Sequence, residues 1–289
     1  MNCSMWDDGS ARIGGLAGLV SVFQITIFFL YMTGGILAGM SRLPRYVAQE
    51  KMFLFVGLVS ATTGLLWHTW TLLLLILTDA GIALSLGNTA SFIGLQIALI
   101  AIIGTVESTL RGFCGGLLLL ASCVAMLTSG QVVSEPAAPM NFQLQTHVLI
   151  SLFAYGLLTV GAIVAVYALI QDRRLRAGKF SSANQLFAPL ETTEKLLFGI
   201  TSAGFLFLLV AVSSGFAFVE NLFAQHLVHK TALSLLALVM FGLLLVGRHF
   251  AGWRGRRAIY LYLWGFLILG LAYFGSRYIL EELLGRSWG

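Results

Sequence analysis

Five histidines stand in or beside long apolar stretches: His68, His147, His226, His229 and His249. An imidazole in such surroundings can bridge helices by hydrogen bonds or bind a metal, and it is a strong ligand for iron, including haem iron held between two helices. A polar side chain inside a membrane segment is costly, so its position there points to a function by default. His68 lies well inside apolar sequence, nearer Asp79 than Lys51. His147, His226 and His229 lie near the starts of two further apolar runs. His226 and His229 are three apart and can share one helix face. They can coordinate a metal or donate to a propionate, and the neighbouring Lys230 can pair with an anionic group. Glu220 with His226 and His229 would make a divalent-metal set. His249 follows His229 by about 30 Å of helix and belongs to the opposite edge.

Other chemistry is sparse. Asp79, Glu107 and Glu220 sit at the ends of apolar runs, where a proton can be exchanged, but no acids continue through the middle to make a pump. Cys3, Cys114 and Cys123 lack metal or redox spacing, and no CxxCH segment offers covalent haem attachment. Cys114 and Cys123 read as small apolar packing residues. Trp67 and Trp70 flank His68; they can stack on a macrocycle or mark the membrane interface.

The elements that must position these residues are set by the solvent. Of 289 residues, 58% are hydrophobic and 10% charged, and the mean hydropathy is +0.90. Soluble domains carry about 25% charged residues. Each crossing needs about 20 apolar residues, and the sequence predicts eight, over 14–40, 52–78, 88–107, 112–130, 143–170, 193–217, 226–247 and 259–281. The expected fold is all-α: one polytopic transmembrane domain over 1–289. Long apolar runs exclude a β-barrel, whose strands are about 10 alternating residues. Pro44, Pro136, Pro139 and Pro189 all fall in connections, where proline is tolerated. Gly14/Gly18 and Gly35/Gly39 have the spacing that permits close helix contact. Glu107 and Arg111 fit a tight turn between spans three and four. Glu191 and Glu194, after Pro189, suit the first turns of a helix.

Charge sets the orientation. Arg42, Arg45 and Lys51 occupy the first connection; Arg173, Arg174, Arg176 and Lys179 the fifth; Arg248, Arg254, Arg256 and Arg257 border or fill the seventh. Alternate connections are poor in base. Basic loops face the cytoplasm, so both termini are expected on the outer side, the periplasm of a bacterial inner membrane. The start, Met1 to Arg12, carries Asp7 and Asp8 without a basic region and does not resemble a cleaved signal peptide. The formal charge of +5 is spread over short loops, so no nucleic-acid partner is expected. The partner that is expected is the lipid bilayer.

Several phrases carry a family likeness: HVLISLFAY from His147 to Tyr155, PLETTEKLLF from Pro189 to Phe198, QHLVHKT from Gln225 to Thr231, GRHFAGWRGRR from Gly247 to Arg257, and Tyr273 to Gly275 after an apolar run. His68 precedes an outer loop and the Asn88 segment. Together they resemble the HemX/YpjD-like branch of the cytochrome c assembly (CcsA/ResC-type) membrane proteins, across almost the whole chain. The resemblance implies a haem-binding or haem-handling inner-membrane protein, accessory to cytochrome c biogenesis and not an enzyme in isolation. It implies non-covalent haem b, and partners among haem-maturation or other membrane proteins. By position His147 is similar to the histidine that begins the corresponding helix. The expected ligand pair is His147 and His229, with His68 and His226 as alternates. One departure is clear: no tryptophan-rich segment is present, and QHLVHKT stands where synthase members carry WDPKE-like sequence. The alternatives are a small-molecule or divalent-ion transporter, and a structural assembly factor whose histidines only stabilise packing.

Overall fold

The computed structural model describes residues 4–78, 81–82, 85–128, 141–178, 188–218 and 225–272; within these, the side chains of 4–19, 78, 81–82, 86, 218 and 225–229 are not described. Eight α-helices account for nearly all of the described chain: α1 (Ser4–Met40), α2 (Glu50–Ile76), α3 (Leu86–Gly104), α4 (Arg111–Ala125), α5 (Phe142–Arg176), α6 (Leu190–Phe218), α7 (Gln225–Phe250) and α8 (Arg256–Gly270). A 3-10 turn, Pro44–Gln49, joins α1 to α2, and another, Ser108–Leu110, joins α3 to α4. A two-residue antiparallel ladder, β1 (Leu77–Thr78) with β2 (Gly81–Ile82), closes the connection after α2. Seven of the helices are long and apolar enough to cross a membrane. The chain is an all-α polytopic membrane bundle, as its apolar runs predicted.

The exterior explains why. Phe55, Leu66, Trp70 and Val239 are each more than 60% exposed, an arrangement stable only where hydrocarbon replaces water. Helix contact must then come from close packing of small residues and from polar pairs rather than from the hydrophobic effect.

The helices form two compact units. The first contains α1 to α4, the second α5 to α8. In the first, α1 packs on both α2 and α4, and α3 packs on α2 and α4. Gly57, Ala61, Gly64 and His68 form one buried stripe of α2. A Cβ on Gly57 would stand 3.1 Å from that of Leu37, and one on Gly64 would stand 3.1 Å from Leu30 and Tyr31. On the other side of α1, a Cβ on Gly35 would meet the Gly115 carbonyl oxygen at 2.7 Å. That contact uses the Gly35/Gly39 spacing noted in the sequence, since Gly115 also faces the Gly39 backbone.

The predicted break between spans three and four is present. Glu107 accepts from the Thr109 backbone at 3.3 Å. Arg111 donates to the Thr105 carbonyl at 3.2 Å and to Glu50 at 2.5 Å, so it joins the base-rich end of α2 to the end of α3. Cys114 is buried in α4, and Cys123 is exposed there.

In the second unit α5 packs on α6 and α8, and α7 packs on α6 and α8. The Asn141 side chain caps α5 by accepting from Leu144 N at 2.9 Å. At its far end α5 runs six residues past the predicted limit. Arginine in a last helical turn favours the helix dipole, and Arg176 pairs with Asp172 one turn back. Asp172 also binds Arg256 of α8 at 2.6 Å. Glu194 accepts from the Gly255 backbone N–H at 2.8 Å, a tie to the 251–255 loop beyond the predicted helix start. Trp253 packs against Gly247, and Arg248 donates to its carbonyl at 3.3 Å. Tyr262 is fully buried over Gly161 and donates to the Leu158 carbonyl at 2.7 Å.

Candidate functional site

His68 and His147 are held in opposite ways. His68 has no solvent exposure. Its Nδ1 lies 3.2 Å from the Tyr31 hydroxyl on α1, and its Nε2 lies 2.7 Å from the Ser91 hydroxyl on α3. Ser91 lies 2.5 Å from the Thr128 hydroxyl, just past α4, and Thr128 donates to the Ala125 carbonyl at 2.7 Å. A hydroxyl has one proton to give, which fixes every direction in the chain. Thr128 spends its proton on Ala125, so Ser91 donates to Thr128. Ser91 must then accept from His68 Nε2–H, which leaves Nδ1 to accept from Tyr31. The Gln24 side-chain amide donates to the Thr128 carbonyl. The network is closed, and both ring nitrogens are used.

His147 is half-buried, one turn into α5, and its Nδ1 lies 2.9 Å from the Ser214 hydroxyl on α6. Ser214 donates its own proton to the Ala211 carbonyl at 2.9 Å. Ser214 can therefore only accept from His147 Nδ1–H. The lone pair falls on Nε2, and among the described residues none donates to it. Gly215 makes room for the ring: a Cβ there would stand 3.2 Å from His147 Cε1.

This is the arrangement a metal-binding imidazole needs. One ring N–H is held by a fixed acceptor, which sets tautomer and orientation, and the other nitrogen is presented as a ligand. His229, the expected partner ligand, and the alternate His226 lie in the first two turns of α7, and their side chains fall outside the described residues. So do Asp79, Glu220 and the Tyr273–Gly275 phrase. The Glu220, His226 and His229 metal set therefore has no described geometry, and among the described residues no group of three or more His, Cys, Asp or Glu could hold a metal ion. His249 is exposed at the opposite end, against Phe250. Trp67 and Trp70 do not enclose His68. They are 42% and 62% exposed, and Trp67 meets Phe23 edge-on.

Residues 56–284 match the profile of the cytochrome c assembly protein family. The chain belongs to the cytochrome c assembly protein family. It is 32% identical over 236 residues to the inner membrane protein YpjD of Escherichia coli K12, covering 79% of this chain and 88% of that one. It is also 30% identical over 141 residues to an uncharacterized 28.8 kDa protein of Azospirillum brasilense, covering 48% of this chain and 52% of the relative. No solved structure matches. The family match begins inside α2 and includes both His68 and His147, and the YpjD-like branch expected from the sequence phrases is the one found. Ser91, Thr128, Ser214 and Gly215 were not singled out in the sequence. The stripe Gly57, Ala61, Gly64, His68 was there to be read, because its spacing puts small residues and one imidazole on a single helix face.

Proposed function

We propose that this cytochrome c assembly family member holds b-type haem at the end of the second unit remote from its basic loops, in an accessory role in cytochrome c biogenesis. The single observation that carries the reading is His147, with Nδ1–H fixed on Ser214 and Nε2 left to coordinate. His229 is its proposed partner ligand, with His226 as the alternate on the same helix. His68 ranks below both, because it would have to give up Tyr31 or Ser91 before it could coordinate. His147 and His229 would hold the haem, which would supply a redox-active iron to the site. The chain's own part is to hold one tautomer of His147 and to leave space beside Gly215.

Arg173, Arg174 and Arg176 end α5 and Arg248 ends α7, far along each helix from its first turns, and the positive-inside rule supports an outer-side position for the proposed site. Cysteine labelling in intact cells with an impermeant reagent tests this, in a background lacking the native cysteines. Position 136 should label and position 176 should not.

The direct test is a detergent-purified, haem-supplied protein. A Soret band with bis-imidazole features is expected, and His147→Ala should abolish it. A folded, haem-supplied protein with no Soret band would overturn the reading. Flux of a solute or divalent ion into liposomes, without bound haem, would favour transport instead.

A further inference from the structure

At the base-rich end of the second unit one carboxylate holds two guanidiniums. Arg176 ends α5 and Arg256 begins α8. Arg176 Nε lies 3.1 Å from both oxygens of Asp172, and Arg256 Nε lies 2.6 Å from one of them. The Asp172 side chain is 14% exposed, against 67% for Arg176 and 41% for Arg256. The carboxylate is thus the inner, fixed member, and the two cations stand outside it, side by side. A guanidinium carries five N–H donors, and Asp172 takes only the Nε–H of each. Among the described residues the terminal N–H groups of both have no acceptor. Two cations on one anion also leave a positive charge over. The other described carboxylates at this end are committed elsewhere, Glu191 to Lys195 and Glu194 to the Gly255 N–H. Along α8 from Arg256 come Tyr260, Trp264 and Leu267, at spacings of four, four and three that keep them on one face. All three are exposed, so a guanidinium stands at the head of an apolar track that faces the bilayer.

We propose that Arg176 and Arg256, oriented by Asp172, form a site for the phosphate of an anionic phospholipid whose acyl chain lies along the Tyr260, Trp264 and Leu267 face of α8. Phosphate oxygens accept charge-assisted N–H bonds from guanidiniums in pairs, with strength and fixed geometry. Cations already held in place lose less freedom on binding than loose surface lysines do. The leftover positive charge selects a headgroup of net negative charge, because a zwitterionic headgroup brings a cation of its own. The apolar track selects a lipid over a free phosphate, which has nothing to lay along it. Tyr260 suits the level just beneath the headgroups, where aromatic side chains with a polar tip concentrate. The site lies at the end of the bundle that bears the basic loops, so it draws its lipid from the leaflet those loops face.

The probes are phosphatidylglycerol and phosphatidylcholine with identical acyl chains. Each is titrated into the full-length protein in detergent, and bound lipid is counted by native mass spectrometry. Wild type should prefer phosphatidylglycerol by about fivefold, the worth of one surface cation to an anionic lipid. Arg176→Gln together with Arg256→Gln should erase the preference. Arg173→Gln together with Arg257→Gln removes the same charge from two exposed arginines that make no bond to Asp172 among the described residues, and should keep it. Arg256→Gln alone leaves Arg176 on Asp172 and strands no carboxylate. It should lower the preference, and it keeps the test decisive if the double variant fails to fold. Equal loss in the two double variants would reduce the effect to bulk charge and overturn the site. Equal binding of both lipids by wild type would overturn it too. Displacement of phosphatidylglycerol by inorganic phosphate at equal concentration would assign the pair of arginines to a free anion and overturn the lipid.

Discussion

One histidine of the first unit and one of the second face the same physical problem and meet it differently. His68 spends both ring nitrogens on hydroxyls from two other helices, and its chain of donors ends on a backbone carbonyl. His147 spends one nitrogen on a hydroxyl already committed to a carbonyl, which forces the other to carry a lone pair. Burial alone would rank His68 as the better site, since it is the more deeply enclosed. Counting protons reverses that order. A buried polar group with every partner satisfied is a fastener; a half-buried one with a defined vacancy in its hydrogen bonding can act on something else.

The sharpest way to break this comparison is to truncate both imidazoles. His68→Ala strands the Tyr31 and Ser91 hydroxyls and opens a cavity among α1, α2 and α3. Each stranded group costs about 1–3 kcal/mol, so the loss of stability should be about 2–6 kcal/mol, seen as a lowered thermal midpoint in detergent. His147→Ala strands only Ser214, at a half-buried position, and should cost about 1 kcal/mol or less. Haem content should move the opposite way, abolished in the His147 variant and kept by whatever fraction of the His68 variant folds. If His68→Ala proves as stable as wild type and loses haem, the two roles have been assigned the wrong way round.

A smaller effect should come from the hydroxyls. Removing the group that orients a metal-bound histidine typically costs about 10–100-fold in affinity. Ser214→Ala should therefore weaken haem binding by about that factor, with little change in the thermal midpoint. Ser91→Ala breaks the chain at its centre and should lower stability by about 1–3 kcal/mol, with haem affinity unchanged. Equal haem loss in both variants would show that the Ser214 contact does nothing particular to His147.

Much of the fold was legible because hydrocarbon demands long apolar runs, and eight of them produce eight helices. The break at Glu107 and Arg111 was legible for the same reason: charge cannot stay inside the hydrocarbon. The Glu50 partner of Arg111 was not, since it sits 61 residues away and nothing local marks it. The site divides similarly. A histidine in apolar sequence announces itself. Its partners do not, because Ser91 and Ser214 are ordinary small polar residues, 23 and 67 positions from the imidazoles they touch. Only helix packing makes them neighbours, so the roles of His68 and His147 could not be separated before the hydroxyls were in place.

The smallest expected effects come from adding one methyl group beside each ring. At Gly215 the new Cβ would lie 3.2 Å from His147 Cε1; at Gly64 it would lie 3.1 Å from both the Leu30 Cβ and the Tyr31 ring. Both contacts are tight enough that a neighbour must yield by a few tenths of an ångström. His147 is half-buried and can yield by tilting, which disturbs the direction of Nε2 more than it disturbs packing. Gly215→Ala should thus lower haem affinity several-fold while changing stability by less than about 1 kcal/mol, since helix propensity favours alanine by about that amount. Tyr31 has no such freedom, being fully buried between α1 and α2 with its hydroxyl on His68. Overpacking there should cost about 1–3 kcal/mol and leave haem affinity alone. Calorimetry and Soret titration of the two variants side by side would measure both quantities. Should Gly215→Ala bind haem as wild type does, the space beside His147 is not part of the site, and the role of that histidine would rest on Ser214 alone.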